Sequence, residues 1–218
     1  MYSVKIFYYM TFLAALVAFA FLAASIPTEY MVEANVMDSG GKIVGFIHFG
    51  ILRGTKNLNG ETGNFIVLDE HKNLFHPLIT YILLILTAFA TVSALIAAVL
   101  SLVNIAKLFP MKSFQGPIGM CFYNVTGVLL STTGIILFTS VLFGPLDEEV
   151  LSPDDQALGY STGQLALSYS FWLQIAAVTL LGVNIGMIII SQTYRDPEEE
   201  GSKGVPQLMK TAQKEDVL

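Results

Sequence analysis

The most informative absence in this sequence is that of ionisable residues from four long stretches. No Asp, Glu, Lys, Arg or His occurs in residues 6–26, 77–106, 113–146 and 156–194. A helix rises about 1.5 Å per residue, so about 20 apolar residues cross the hydrocarbon core of a bilayer. Each stretch is long enough to span a membrane. Because an ionisable side chain inside a membrane usually marks an ion or substrate path, its absence argues against a pump, a transporter or a charge-lined pore.

The chain also lacks the residue sets that chemistry needs. A single cysteine, Cys121, excludes an internal disulfide, and we expect it to be a small buried hydrophobe rather than a palmitoylation site. The three histidines are scattered and have no Cys partners, so they do not form a zinc motif. There is no nucleophile–base set and no phosphate loop. We therefore expect no enzyme activity, no cofactor, no metal site and no nucleic-acid partner.

The composition is that of a membrane protein, since 54% of the residues are hydrophobic and only 13% are charged. We predict an antiparallel bundle of four transmembrane helices over residues 1–195. The tail 196–218 has few large apolar residues and is expected to be disordered in the cytoplasm. The four predicted spans are about 6–26, 77–104, 116–143 and 168–191.

Charge in the short loops predicts the orientation of the bundle. The 107–112 loop has two bases and no acid, whereas the 147–155 loop has five acids and no base. The positive-inside rule then places both termini in the cytoplasm of a multi-pass plasma-membrane protein. The loops 27–76 and 147–155 should lie outside, where we expect the five acids to form a solvated face rather than a calcium site.

The first outside loop is too long to be a simple connector. Two apolar runs, 42–52 and 65–68, are separated by Gly- and Asn-rich turns, which predicts short antiparallel strands. A sheet of two or three strands is marginal by itself, so it must lean on the bundle or on a partner. The polar-aromatic stretch 160–171 is expected to let the fourth helix begin outside the bilayer.

The fourth span contains a glycine motif that favours helix packing. Gly182 and Gly186 share one helix face and permit close backbone approach, and Asn184 between them requires a hydrogen-bonding partner. This face either packs inside the bundle, which is the commoner use, or docks an oligomer or channel partner.

Two short motifs lie elsewhere in the chain. The sequon Asn124-Val125-Thr126 falls inside the third span, where glycosylation cannot reach it. The chain ends Asp216-Val217-Leu218, which is compatible with binding to a cytoplasmic PDZ domain.

Three motifs resemble those of the clarins, a family of four-span membrane proteins distantly related to claudins. They lie in the first outside loop, at the entry to the third helix and in the fourth helix. They are Phe49-Gly50-Ile51-Leu52-Arg53-Gly54 followed by Asn57, Phe109-Pro110 with Gly116-Pro117-Ile118-Gly119, and Ser170-Phe171-Trp172 followed by Asn184 and Gly186. Together with the order of the spans, the resemblance covers most of residues 1–195.

This resemblance implies a claudin-like bundle with a small extracellular β layer, and a scaffold or accessory function. Such a subunit would sit among lipids and assist a larger membrane complex, such as an ion channel or adhesion complex in a sensory or synaptic cell. Its partner-binding residues would include Phe49, Gly50, Arg53 and Asn57. Claudin-like adhesion or barrier formation is the alternative, although the loop has no Trp and no Cys. A small channel or transporter is the third.

Overall fold

The fold is given by a computed structural model, which describes residues 2–67, 77–106, 116–144 and 150–193. Four of its helices are long and apolar enough to cross a membrane, judged by their length and composition. A fifth, α4, is a single short turn at Pro153–Ala157. The long helices are α1 at Tyr2–Ser25, α2 at Pro77–Ala106, α3 at Pro117–Leu142 and α5 at Tyr169–Thr193.

Sequence signals at their ends and along their length explain these helices. Pro117 occupies the first turn of α3, where its missing N–H costs no intrahelical bond, and Gly144 follows the end of the helix. Within the spans, threonine hydroxyls bond to carbonyls one turn earlier, as Thr87 does to Leu83 at 2.9 Å. Such hydroxyls are thereby hydrogen-bonded inside their own helix, which suits a lipid environment.

The four long helices form a square in which sequence neighbours are antiparallel. α1 packs on α2 and α5, and α3 packs on the same two helices. Near the end of α1 and the start of α5, Gln174 Nε2 donates to Ser25 Oγ at 3.2 Å. At the opposite end, Tyr8 of α1 packs with Ile188 of α5.

Alanines let these helices approach closely. Ala18 of α1, Ala90 and Ala94 of α2 and Ala177 of α5 are fully buried in one apolar cluster. In lipid, where water does not drive apolar surfaces together, such small residues increase dispersion contact between backbones. These four alanines therefore lie at the centre of the bundle.

Five antiparallel strands form one sheet in the order β4-β3-β2-β1-β5. Asn59 and Gly60 both have positive φ angles, the requirement of the tight turn that joins β3 to β4. Four strands come from the first long loop and the fifth precedes α5. They are β1 at Val32–Met37, β2 at Ile43–Phe49, β3 at Arg53–Leu58, β4 at Glu61–Ile66 and β5 at Ser161–Leu167.

The expectation that the fourth helix begins within residues 160–171 holds only from Tyr169 onward and is wrong for the residues before it. Ser161–Leu167 is strand β5, and the helix starts at Tyr169. The physical reason is long-range: the free edge of β1 offers its backbone groups, and β5 pairs with it in antiparallel register, with Val32 opposite Leu167. The sheet is consequently larger than the two or three strands expected from the first loop alone.

One face of the sheet packs against the bundle. Val32, Ala34 and Val36 alternate along β1 and are fully buried, as the period of a strand requires. With Phe49 they share an apolar cluster with Phe138 of α3 and other residues at the ends of α2, α3 and α5. A fully buried valine contributes roughly 1.5–3 kcal/mol. The sheet is thus stabilised by the bundle, as its small size demands.

Candidate docking site

The glycine motif of α5 lies on the outer surface of the bundle. An ideal Cβ placed on Gly182 or Gly186 meets nothing within 4 Å. By contrast, a Cβ on Gly127, in the middle of α3, would lie 3.0 Å from Leu181 Cδ1. The interpretation that Gly182 and Gly186 pack inside the bundle is therefore wrong, because no helix of the described chain lies on them. We call the surface of Gly182 and Gly186, with exposed Val183 beside them, the glycine strip.

Asn184 points away from the glycine strip. A residue two positions along a helix is rotated by about 200°, and Asn184 is fully buried while Gly182 is exposed. Its Nδ2 donates to Asn124 Oδ1 of α3 at 2.9 Å. The expectation that Asn184 supports docking beside the glycines is thus wrong: its amide links two helices of this chain.

The Asn124–Asn184 pair forms a polar layer inside the bundle. Asn124 Nδ2 donates to the carbonyl of Met120 at 2.7 Å, one turn back on its own helix. Asn184 Oδ1 is buried without a hydrogen-bond partner in the described part of the chain. Because Asn124 is fully buried, its side chain is closed to enzymes that attach glycans.

The four candidate residues of the first loop divide into two pairs. Phe49 is buried in the cluster between sheet and bundle, and a Cβ on Gly50 would lie 1.9 Å from the carbonyl oxygen of Thr28. These two residues build the fold. Arg53 is exposed, and Asn57 is partly exposed with its Nδ2 donating to Thr62 Oγ1 at 3.2 Å.

The loop residues and the glycine strip are separate surfaces. Tyr169 is the first residue of α5 and follows the sheet. At the rise of an α-helix, Gly182 lies about 20 Å further along the same helix. The structure therefore does not bring the candidate residues together in one site. A partner that contacts both must extend along the helix and over the sheet.

A partly buried ion pair joins the two predicted outside loops. Lys56 Nζ of β3 lies 2.8 Å from Asp155 Oδ2 in α4, with the side chains 23% and 9% exposed. Ser152 caps α4 and its hydroxyl donates to the same carboxylate at 2.6 Å. The expectation of a wholly solvated acidic face is therefore wrong for Asp155. A local signal existed: Ser152-Pro153-Asp154-Asp155 has the pattern of a helix start.

No metal centre is found among the described residues, since no group of three His, Cys, Asp or Glu side chains converges there. His48 instead packs its ring against Tyr30 and Phe46, with centroid distances of 4.8 and 5.0 Å. The other predicted features lie outside the described residues: His71, His76, the acids at 147–149 and the tail Asp216-Val217-Leu218.

Comparison with known proteins gives the family. The family model described as Clarin-2-like matches residues 3–189, which include the sheet and nearly all of the four long helices. No curated protein matches the chain. The match extends over far more than half of the sequence and agrees with four apolar helices that can each span a bilayer. The chain therefore belongs to the Clarin-2-like family of multi-pass membrane proteins.

Proposed function

We propose that this protein is a non-enzymatic accessory or scaffold subunit that binds a transmembrane helix of a larger membrane complex, such as an ion channel complex. The glycine strip of α5 is the docking surface. A single observation carries the proposal: Gly182 and Gly186 face outward with open space above each. Glycine lowers helix propensity by about 1 kcal/mol relative to alanine, so two outward glycines in one helix are costly without a partner.

The arrangement suits a close helix–helix contact. Glycines four residues apart leave a shallow groove, and a partner helix can approach until backbone and side chains touch. The rest of α5 remains fixed, because Asn184 and Leu181 on its other side are fully buried in the bundle. The docking surface is thus rigid before the partner arrives, which lowers the entropy lost on binding.

The proposal includes a placement in the plasma membrane. The basic 107–112 loop lies on the cytoplasmic side with both termini, and the sheet lies outside in a claudin-like arrangement. The tail ending in Leu218 is then available to a cytoplasmic PDZ domain. In the assembled complex, exposed Arg53 on the sheet contacts the partner's outer surface.

Replacement of Gly186 by Leu tests the docking surface. The new side chain fills the groove and displaces the partner helix, so the partner recovered after gentle detergent extraction should fall at least tenfold. Folded yield and surface delivery should stay unchanged, because a Cβ at this position meets nothing within 4 Å.

Gly127→Leu is the matched control, with the same substitution at a glycine in α3. Its Cβ would press on Leu181, so this variant should lose folded yield first. Full partner recovery with Gly186→Leu would refute docking on the strip. A loss of folded yield equal to that of Gly127→Leu would refute the outward placement of the strip.

Adhesion through the sheet is the second candidate function. Its outer face exposes Ile43 and Phe46, 56% and 42% accessible, which are large apolar side chains for a surface in water. A claudin-like adhesive protein would use this face against a neighbouring cell. Mixed cells that each express the chain should then concentrate it at their contacts, and Phe46→Ser should abolish this clustering.

A further inference from the structure

The outer edge of β4 is an open strand edge. β4 is the last strand of the sheet, so within the described part of the chain it has a neighbour on one side only. Five of its six residues are not buried, and only Phe65 points into the core. Open edges are templates for pairing with another chain, and proteins usually protect them with Pro, Lys, charges or bulges. β4 contains no Pro and no Lys, and its register with β3 is unbroken.

The hydrogen-bond pattern identifies the free backbone groups. Val67 N–H donates to the carbonyl of Leu52 at 3.1 Å, continuing the pairing of β4 with β3. Groups that face the partner strand alternate along an antiparallel strand. Residues 61, 63 and 65 therefore bond to β3, whereas Thr62, Asn64 and Ile66 direct their N–H and C=O groups outward.

The opposite edge of the sheet is less suited to pairing. The register of β5 with β1 shifts between Ala34 and Val36, and such irregularities twist an edge away from a flat partner. Residues before α4 also approach β5, because the N–H of Val150 donates to Thr162 Oγ1 at 2.9 Å. β4 is thus the edge that can extend the sheet.

From this edge we infer that a second copy of the chain docks on β4, pairing its own β4 in antiparallel orientation. Strand directions favour a two-fold arrangement. Every neighbouring pair in the sheet is antiparallel, so the two edge strands, β4 and β5, run in the same direction. A copy related by translation would set β5 parallel to β4. A two-fold axis instead pairs β4 with β4 in antiparallel orientation, like every other pair in the sheet. Two-fold symmetry is also the closed symmetry of most dimers.

The register of this pairing follows from the outward groups. With Asn64 opposite its symmetry mate, Thr62 lies opposite Ile66, and all three outward residues on each strand are hydrogen-bonded. Glu61 is the only charged residue in β4. In this register it lies about 20 Å from its symmetry mate, so like charges do not meet. The inference is independent of the glycine strip, which lies on α5.

Disulfide trapping tests the inference in full-length protein that carries Cys121→Ala. Across the two-fold axis the Asn64 Cα atoms would lie about 5.5 Å apart, within the range of a disulfide. Asn64→Cys should therefore form a covalent dimer under mild oxidation in native membranes. The matched control is Thr62→Cys on the same edge, whose symmetry mate would lie about 14 Å away. Disulfide dimers at both positions, or at neither, would overturn the pairing.

Proline substitution provides a second readout with two differently tagged copies. Asn64→Pro removes an outward N–H and is tolerated on an edge strand, so it should lower co-purification of the tags at least tenfold at normal folded yield. Gly63→Pro removes an N–H that bonds to β3 and should lower the folded yield instead. Co-purification that survives Asn64→Pro would refute the edge contact.

Discussion

Loss of Lys56 should open the segment that contains α4. Lys56→Met leaves the Asp155 carboxylate, 9% exposed, without its cation. Breaking a buried ion pair by removing one partner costs about 3–5 kcal/mol. Lys56 is 23% exposed, and Ser152 still donates to the carboxylate. For these two reasons we expect Lys56→Met to lower the free energy of opening this segment by about 2–3 kcal/mol, at or just below the lower end of that range.

Hydrogen exchange measures this cost locally. The N–H of Gln156 donates to the carbonyl of Ser152 at 3.1 Å, so its exchange reports the opening of α4. A loss of about 2–3 kcal/mol corresponds to exchange that is roughly 30 to 150 times faster. The measurement is hydrogen–deuterium exchange on the detergent-solubilised protein, with peptides from the transmembrane part of α5 as an internal reference.

A second substitution separates the charge effect from lost packing. In the Lys56→Met background, Asp155→Asn removes the charge that has lost Lys56 and keeps an acceptor for Ser152. It should recover part of the exchange protection, whereas the same change in the parent protein should reduce protection. Unchanged exchange in Lys56→Met, or a further loss in the double variant, would refute the claim that this ion pair holds the two loops together.

Three further predictions concern the sheet, the bundle core and the topology. A Cβ on Gly50 would lie 1.9 Å from a backbone oxygen, whereas a Cβ on Gly63 enters open space. In a thermal stability assay, Gly50→Ala should therefore destabilise the protein by about 3 kcal/mol, and Gly63→Ala should fold normally. The mature protein should show no mobility shift with an N-glycosidase, and a shift abolished by Asn124→Gln would contradict the buried position of that residue. Tags at either terminus should bind antibody only after permeabilisation, and labelling on intact cells would contradict the proposed orientation.

The long helices were predictable because a bilayer imposes a requirement that the sequence displays. Residues 77–106 contain no ionisable side chain, and α2 occupies Pro77–Ala106. The direction of the glycine strip was not predictable in the same way. The spacing of Gly182 and Gly186 shows that they share a face, but it contains no information on which way that face points. Only the packing of α1 and α3 on α5 settles it.

The features that the sequence did not predict depend on contacts between distant residues. Lys56 and Asp155 are separated by 99 positions, and no local pattern around either residue predicts the other as its partner. Strand β5 forms because β1 offers it a free edge, and most of its own residues are small or polar. The family motif predicts Phe49 and Gly50 as binding residues, but the burial of Phe49 and the close approach at Gly50 show that part of this motif encodes the fold.

Site-specific photocrosslinking tests the docking surface most directly. A photoreactive residue at Val183, beside the glycine strip and 53% exposed, should give a discrete protein adduct in native membranes. The same residue at Leu129, 62% exposed on α3, should give no discrete protein adduct, because the proposal docks the partner on α5 and leaves this surface to lipid. The Val183 adduct should disappear when Gly186→Leu is added. Equal adducts at the two positions, or none at Val183, would contradict the proposal that α5 docks a partner.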